Sequence, residues 1–224
     1  MVKIKLIRRF LVSFSLLLAT TYVQAQEVLL PLQAYPRDYS PAKAADTQWV
    51  QLPFFDDFAN YEGVPNQRLW MGGQAYVNKD YAPLPPTLGM VTLDAINAQG
   101  TLYPQASSSR FSADTLASQP IRLDSLLSPS KRGLTPADSI YLSFFYCPGG
   151  GTGDPWERMG DCPDETDSLI LEFSNPTAKR WNMVWATGGV ECVDSLIART
   201  GTAWQYVSVA VAEPDYFNRN FRFR

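Results

Sequence analysis

Apolar and polar residues alternate with a period of two along several stretches of the chain, the pattern of strands that turn one face to a core. "DSIYLSFFYC" sets Ile140, Leu142, Phe144 and Tyr146 on one face and Ser139, Tyr141, Ser143 and Phe145 on the other. "DSLILEF" aligns Leu169, Leu171 and Phe173, "RWNMVWA" aligns Trp181, Met183 and Trp185, and "WQYVSVAV" aligns Val207, Val209 and Val211. "NFRFR" places Phe221 and Phe223 together, and "GMVTLDAI" and "ADTLASQPIRL" extend the series upstream. No segment keeps a 3.6-residue period for more than a turn or two, and Gly, Pro and Asn separate the runs. The pattern predicts an all-β jelly-roll sandwich over residues 51–224, because stacking two sheets buries many half-apolar strands. Residues 26–50, rich in Pro and Ala and without periodicity, read as an extended linker.

The N-terminal pattern is different in kind. "MVKIKLIRRF" carries Lys3, Lys5, Arg8 and Arg9, and "LVSFSLLLATTYVQA" follows as a short apolar run ending in small residues. Residues 1–25 thus read as a secretory signal peptide cut before Gln26. The apolar part is shorter than the roughly 20 residues that span a bilayer, so no membrane span is expected after cleavage. The expected location is outside the cell or on its outer surface.

Composition narrows the chemistry. With 0 His in 224 residues, Ser-His-Asp and Cys-His catalysis and His-ligated zinc are excluded. Of 19 basic and 22 acidic residues, four basic ones lie in the signal segment, so the exported part carries a net charge near −7 and is a poor nucleic-acid binder. Hydrophobic residues make up 46% and charged residues 18%, enough to fill one sizeable core. The cysteines are Cys147, Cys162 and Cys192. In an exported chain a bridge is expected, and without Cys-x-x-Cys spacing neither zinc knuckle nor redox motif is indicated. Cys147 with Cys162 closes a short loop beyond a strand, and Cys162 with Cys192 is the alternative.

The order "FFDDF…W", "ADTLASQPIRL", "IYLSFFYCPGG", "DSLILEF", "WNMVWATGG", "WQYVSVAV" and "FRFR" resembles MAM and laminin-G-like (concanavalin-like) jelly rolls, most closely those of exported Bacteroidota proteins with a type IX secretion sorting tail. The resemblance runs from about Leu52 to the C-terminus. It implies an adhesion or accessory binding module whose partner is a glycan or a surface protein. Such domains continue past "FRFR" into a final strand, so the resemblance implies that this β-sandwich lacks its last strand.

Candidate chemistry follows from these readings. Asp56 and Asp57 in "QLPFFDDFANYEG" cap the turn that leaves Phe54-Phe55, or, as the resemblance implies, contribute oxygen ligands to calcium. Catalysis by the pair is disfavoured because strand neighbours point to opposite faces. The acidic loop Cys147–Ser168 offers Asp154, Asp161, Asp164 and Glu165 as oxygen ligands and Trp156 as a platform for sugar stacking; a solvated loop is the plain alternative. Glu165-x-Asp167 resembles the first two acids of a jelly-roll glucanase strand, but Ile170 stands where the third belongs, which counts against a glycoside hydrolase. An Asp, hydroxyl, aliphatic triplet recurs with hydroxyls at Thr115, Ser125, Ser139, Ser168 and Ser195. It resembles the O-glycosylation sequon of exported Bacteroidota proteins and equally suits strand entry. A binding or adhesion module is the expected function, with a glucanase or a structural envelope component as the rivals.

Overall fold

The computed structural model describes residues 49–97, 99–106, 110–150, 160–177, 179–189 and 191–224. All of them lie within one compact unit, Ala44–Arg224. The signal-peptide and most of the linker reading fall outside the described residues.

Among the described residues the strands pair in twos. They are β1 (Trp70–Met71), β2 (Tyr76–Asn78), β3 (Met90–Thr92), β4 (Ala117–Ser118), β5 (Ser125–Leu126), β6 (Arg132–Gly133), β7 (Tyr141–Tyr146), β8 (Ser168–Asn175), β9 (Arg180–Gly188) and β10 (Gln205–Ala210). The antiparallel pairs are β1 with β4, β2 with β3, β5 with β6, β7 with β10 and β8 with β9. A helix, α1 (Val193–Thr200), stands between β9 and β10. The expected all-β jelly roll is therefore corrected: the architecture is mixed α/β, with small unclosed two-stranded sheets.

Helix α1 was hidden because it is two turns long. Val193 and Leu196, three residues apart, are its buried face, Asp194 sits at the positive end, Arg199 at the negative end, and Gly201 closes it in the left-handed conformation. The triplet Asp194-Ser195-Leu196, grouped above with strand entries, lies inside this helix.

Three strands follow the expected alternation. Ile140, Leu142, Phe144, Val209 and Val211 belong to the core or pack against it, while Tyr141, Phe145 and Tyr206 face out. Leu171 and Phe173 of β8 are buried as predicted. In β9 the expected common face of Trp181, Met183 and Trp185 is broken. Leu171 pairs with Trp185 but Glu172 pairs with Met183, leaving Val184 as an extra residue in a β-bulge. Trp185 therefore packs on Phe144 at 5.4 Å, whereas Met183 is turned out to solvent.

The core is aromatic at its centre. Phe173 lies 5.4 Å from Tyr216 and 5.2 Å from Phe221, edge to face. The C-terminal segment locks this cluster from both sides. Glu172 and Arg224 exchange backbone bonds of 2.9 and 3.0 Å, and Ser174 N–H donates to the Arg222 carbonyl. On the other edge Ser118 and Ile121 donate their N–H groups to the carbonyls of Phe223 and Phe221.

Candidate functional site

Among the described residues an open cleft is built on β2. Val77 is enclosed and is clamped on both sides, by Val91 in β3 and by reciprocal backbone bonds of 2.8 and 2.7 Å with Gly63. Alternation then turns Tyr76 outward, and Asn78 begins the exit from the strand. The Asn78 amide donates to Thr92 Oγ1 at 2.8 Å and its carbonyl oxygen accepts the Tyr81 N–H at 3.1 Å, so one buried side chain fixes both the hairpin and the following turn. Lys79 meets Glu62 at 3.0 Å across the mouth. The result is an open cleft of about 340 Å³ lined by Glu62, Tyr76, Asn78, Lys79, Asp80 and Tyr81.

The chemistry of this lining is specific in type. Tyr76 and Tyr81 are 41% and 43% exposed and supply flat ring faces with a hydroxyl at the tip. Two carboxylates and an ammonium surround them, with the buried Asn78 amide at the floor, giving donors and acceptors around an apolar platform. Such a mixture suits a small polyhydroxylated ligand, and its size falls within the roughly 300–1,000 Å³ common for ligand sites. Lys79, Asp80 and Tyr81 open a loop that runs on to Gly89. Trp204 holds it by donating its indole N–H to the Pro83 carbonyl at 2.9 Å, and Leu84 and Leu88 project from it almost fully exposed.

The Asp56–Asp57 pair supports the base of that loop. Asp56 Oδ1 accepts the Phe58 N–H at 2.9 Å, and Asp56 Oδ2 accepts the Trp70 indole N–H at 2.7 Å and the Tyr61 hydroxyl. Burial first, and then this bond to Asp56, push the Tyr61 hydroxyl above its ordinary pKa. Asp57 Oδ1 accepts the Ala59 N–H at 3.1 Å. The two carboxylates thus form consecutive turn caps that place Phe58 at φ +55°, and Gly89 packs against the Phe58 carbonyl so closely that a Cβ would sit 2.0 Å from it. Among the described residues no cluster of three or more acidic or Cys side chains is arranged to hold a metal ion.

The other candidates disperse. Trp156 and Asp154 lie outside the described residues. Asp164 accepts both the hydroxyl and the N–H of Thr166 at 2.6 Å, which together hold its carboxyl below the usual range. Asp167 Oδ2 accepts the Asp164 N–H at 3.0 Å, so the second acid of the glucanase-like pair caps a turn before β8. The favoured Cys147–Cys162 bridge is corrected: Cys162 joins Cys192, with Cα atoms 4.9 Å apart, and Cys147 is a free thiol. Helix α1 explains the pairing, because its N-cap is Cys192 and the Val193 N–H donates to the Gly150 carbonyl beside Cys162. Cys147 is half-buried where β7 ends, and burial pushes its thiol up to about 11.

The five triplet hydroxyls do not share one setting. Thr115 precedes β4, Ser139 closes the 3₁₀ turn Pro136–Asp138, Ser168 opens β8 and Ser195 lies on α1; all four are exposed, while Ser125 in β5 is half-buried. The cleft itself was missed in the sequence. The signal available was "YVNKDY", two tyrosines bracketing an amide and two charges directly after a period-two step.

Comparison with family models, curated proteins and solved structures finds no match for this chain.

Proposed function

We propose that the chain is an exported binding module that takes a saccharide in the cleft beside Tyr76 and Tyr81 and so adheres to glycan-bearing surfaces. The observation that carries this reading is the pairing of two half-exposed tyrosine rings with Glu62, Asn78, Lys79 and Asp80 around one open cleft of about 340 Å³. Ring faces stack on the C–H faces of a sugar, and the flanking groups bond to its hydroxyls. The basic-then-apolar N-terminus and the Cys162–Cys192 bridge support export. Binding is favoured over hydrolysis because Asp167 is engaged in a turn cap and Ile170 occupies the position of a third acid. A glycan array probed with the protein tests the reading: binding to a defined set of saccharides that is lost in the Tyr76→Ala/Tyr81→Ala variant supports it, and an array without signal overturns it.

A second reading, contact with a surface protein, is favoured by Leu84. It is 84% exposed, sits at φ +46° between Pro83 and Pro85, and is presented on a loop that Trp204 holds in place. Substitution Leu84→Ser tests it: loss of adhesion to protein-coated but not glycan-coated surfaces supports protein contact.

A further inference from the structure

The C-terminal segment separates its residues cleanly by face. Phe221 is buried and Phe223 packs on the core, so Arg222 and Arg224 stand on the opposite, outer face. The backbone bonds described above set these arginines between Ser174 and Glu172 of β8 on one side and the 118–121 strip on the other. Trp181, paired with Ser174, lies under both guanidinium groups, 5.3 Å from Arg222 and 4.6 Å from Arg224. The pattern repeats beyond the strip. Val50 bridges to Ile121, and Trp49 lies 5.5 Å from the Arg122 guanidinium and 5.7 Å from that of Arg219, with its indole N–H on Asn220.

Four arginines and two tryptophans therefore share this region of surface. Among the described residues the carboxylates paired with them are Asp124, at 3.0 Å from Arg122, and Glu172, on Arg224. The face keeps a positive surplus in a chain whose formal net charge is −3. Stacking on an indole orients a guanidinium and leaves part of its N–H edge over: Arg224 gives Nε to Glu172 and Arg222 gives Nη1 to Met71 Sδ at 3.3 Å, and the remaining donors match carboxylate and sulfate oxygens. Arg222 and Arg224 are two strand residues apart, about 6.7 Å along the backbone, on one face.

We propose that this face binds an anionic polysaccharide, carboxylated or sulfated, with the arginine forks on its acid groups and the indole edges against its sugar rings. The site is independent of the tyrosine cleft and of the saccharide reading made for it. Nucleic acid is the disfavoured polyanion, because the negative charge of the rest of the chain opposes a duplex that must lie along a broad surface.

The experiment measures binding of the protein to immobilised polygalacturonate and dextran sulfate, with neutral dextran and double-stranded DNA as comparisons, at low and at raised salt. The expected result is retention on at least one of the acidic polysaccharides, weakened by salt and absent on dextran. Retention on polygalacturonate alone assigns carboxylate as the ligand group, and on dextran sulfate alone assigns sulfate. Arg222→Gln/Arg224→Gln should bind about tenfold more weakly or worse, and Arg222→Lys/Arg224→Lys, which keeps the charge but not the fork, should fall between. Tyr76→Ala/Tyr81→Ala should leave this binding unchanged, which separates it from the cleft. Lack of retention of the unaltered protein, equal binding by both arginine pairs, or equally tight binding of DNA overturns the proposal.

Discussion

Asp56 accepts the indole N–H of Trp70 at 2.7 Å, and that one bond ties the first turn of the described chain to the edge of its aromatic core. Trp70 lies between Phe54, Phe58 and Phe223, with ring centroids at 5.2, 5.8 and 5.6 Å. The carboxylate that serves Trp70 also receives the Phe58 N–H and the Tyr61 hydroxyl, so a single side chain satisfies three donors. Asp56→Asn puts an amide NH₂ against at least one of those donors and is expected to cost about 2–3 kcal/mol. Asp57→Asn, which disturbs one turn cap, should cost under about 1 kcal/mol. Urea unfolding of the two variants checks the order; equal losses would contradict it.

Gly89 offers a sharper steric test. A Cβ there would stand 2.0 Å from the Phe58 carbonyl oxygen, a backbone atom held by the Asp56 cap. Gly89→Ala should destabilise the protein by at least about 2 kcal/mol and loosen the loop that leaves the tyrosine cleft. Thermal melting, with limited proteolysis of the loop 79–89 as the local readout, gives the answer. Gly188→Ala, where a Cβ meets open space, is the control.

The bridge makes a prediction of its own. Cys162 and Cys192 are 30 residues apart, so opening the bond frees a loop worth about 3.6 kcal/mol in the chain-entropy model. Cys192→Ser should lower the melting temperature, and Cys147→Ser should not. Iodoacetamide at mildly alkaline pH should modify Cys147 slowly in the native protein, because burial holds its thiol near 11, and rapidly once the chain unfolds.

Half-buried Asp114 gives a pH dependence with a defined sign. It accepts the Tyr103 hydroxyl at 2.8 Å and the Asp94 N–H at 3.2 Å, yet burial outweighs these bonds and raises its carboxyl pKa; Tyr103 is pushed up to about 12, by burial and then by this bond. A carboxyl that is raised on folding binds its proton more tightly in the native state, so its contribution to stability falls as pH rises from below about 4 through the folded value. The stability of the protein relative to Asp114→Asn should therefore decline as the pH rises from below about 4. A flat or rising difference in denaturant midpoints with that change in pH would contradict the assignment.

Much of the strand content was legible because β7 and β10 alternate throughout and β8 alternates as far as Phe173, and the faces of Leu142, Phe173 and Val209 follow from spacing alone. The bulge at Val184 was not, since a one-residue insertion reverses every later side chain and leaves no local mark in composition. Helix α1 escaped because eight residues give two turns, too few for a 3.6-residue period to stand out from a strand entry. That short helix also decided the disulfide, by bringing Cys192 rather than Cys147 to Cys162. At the candidate site, turn chemistry at Asp56 and Asp57 was readable, but the partners Tyr61 and Trp70 were chosen by packing across 5 and 14 residues. The cleft depends on Gly63 pairing with Val77, a bridge between segments with no shared pattern.

We propose that the tyrosine cleft holds a saccharide, and titration calorimetry of the best array-selected glycan against the protein and its Tyr76→Ala/Tyr81→Ala variant measures that binding. Losing two stacking rings should weaken binding by about 1–3 kcal/mol, roughly 5- to 150-fold, with the melting temperature little changed because both rings are half exposed. Equal affinity of the two proteins for the glycan would contradict saccharide binding at Tyr76 and Tyr81.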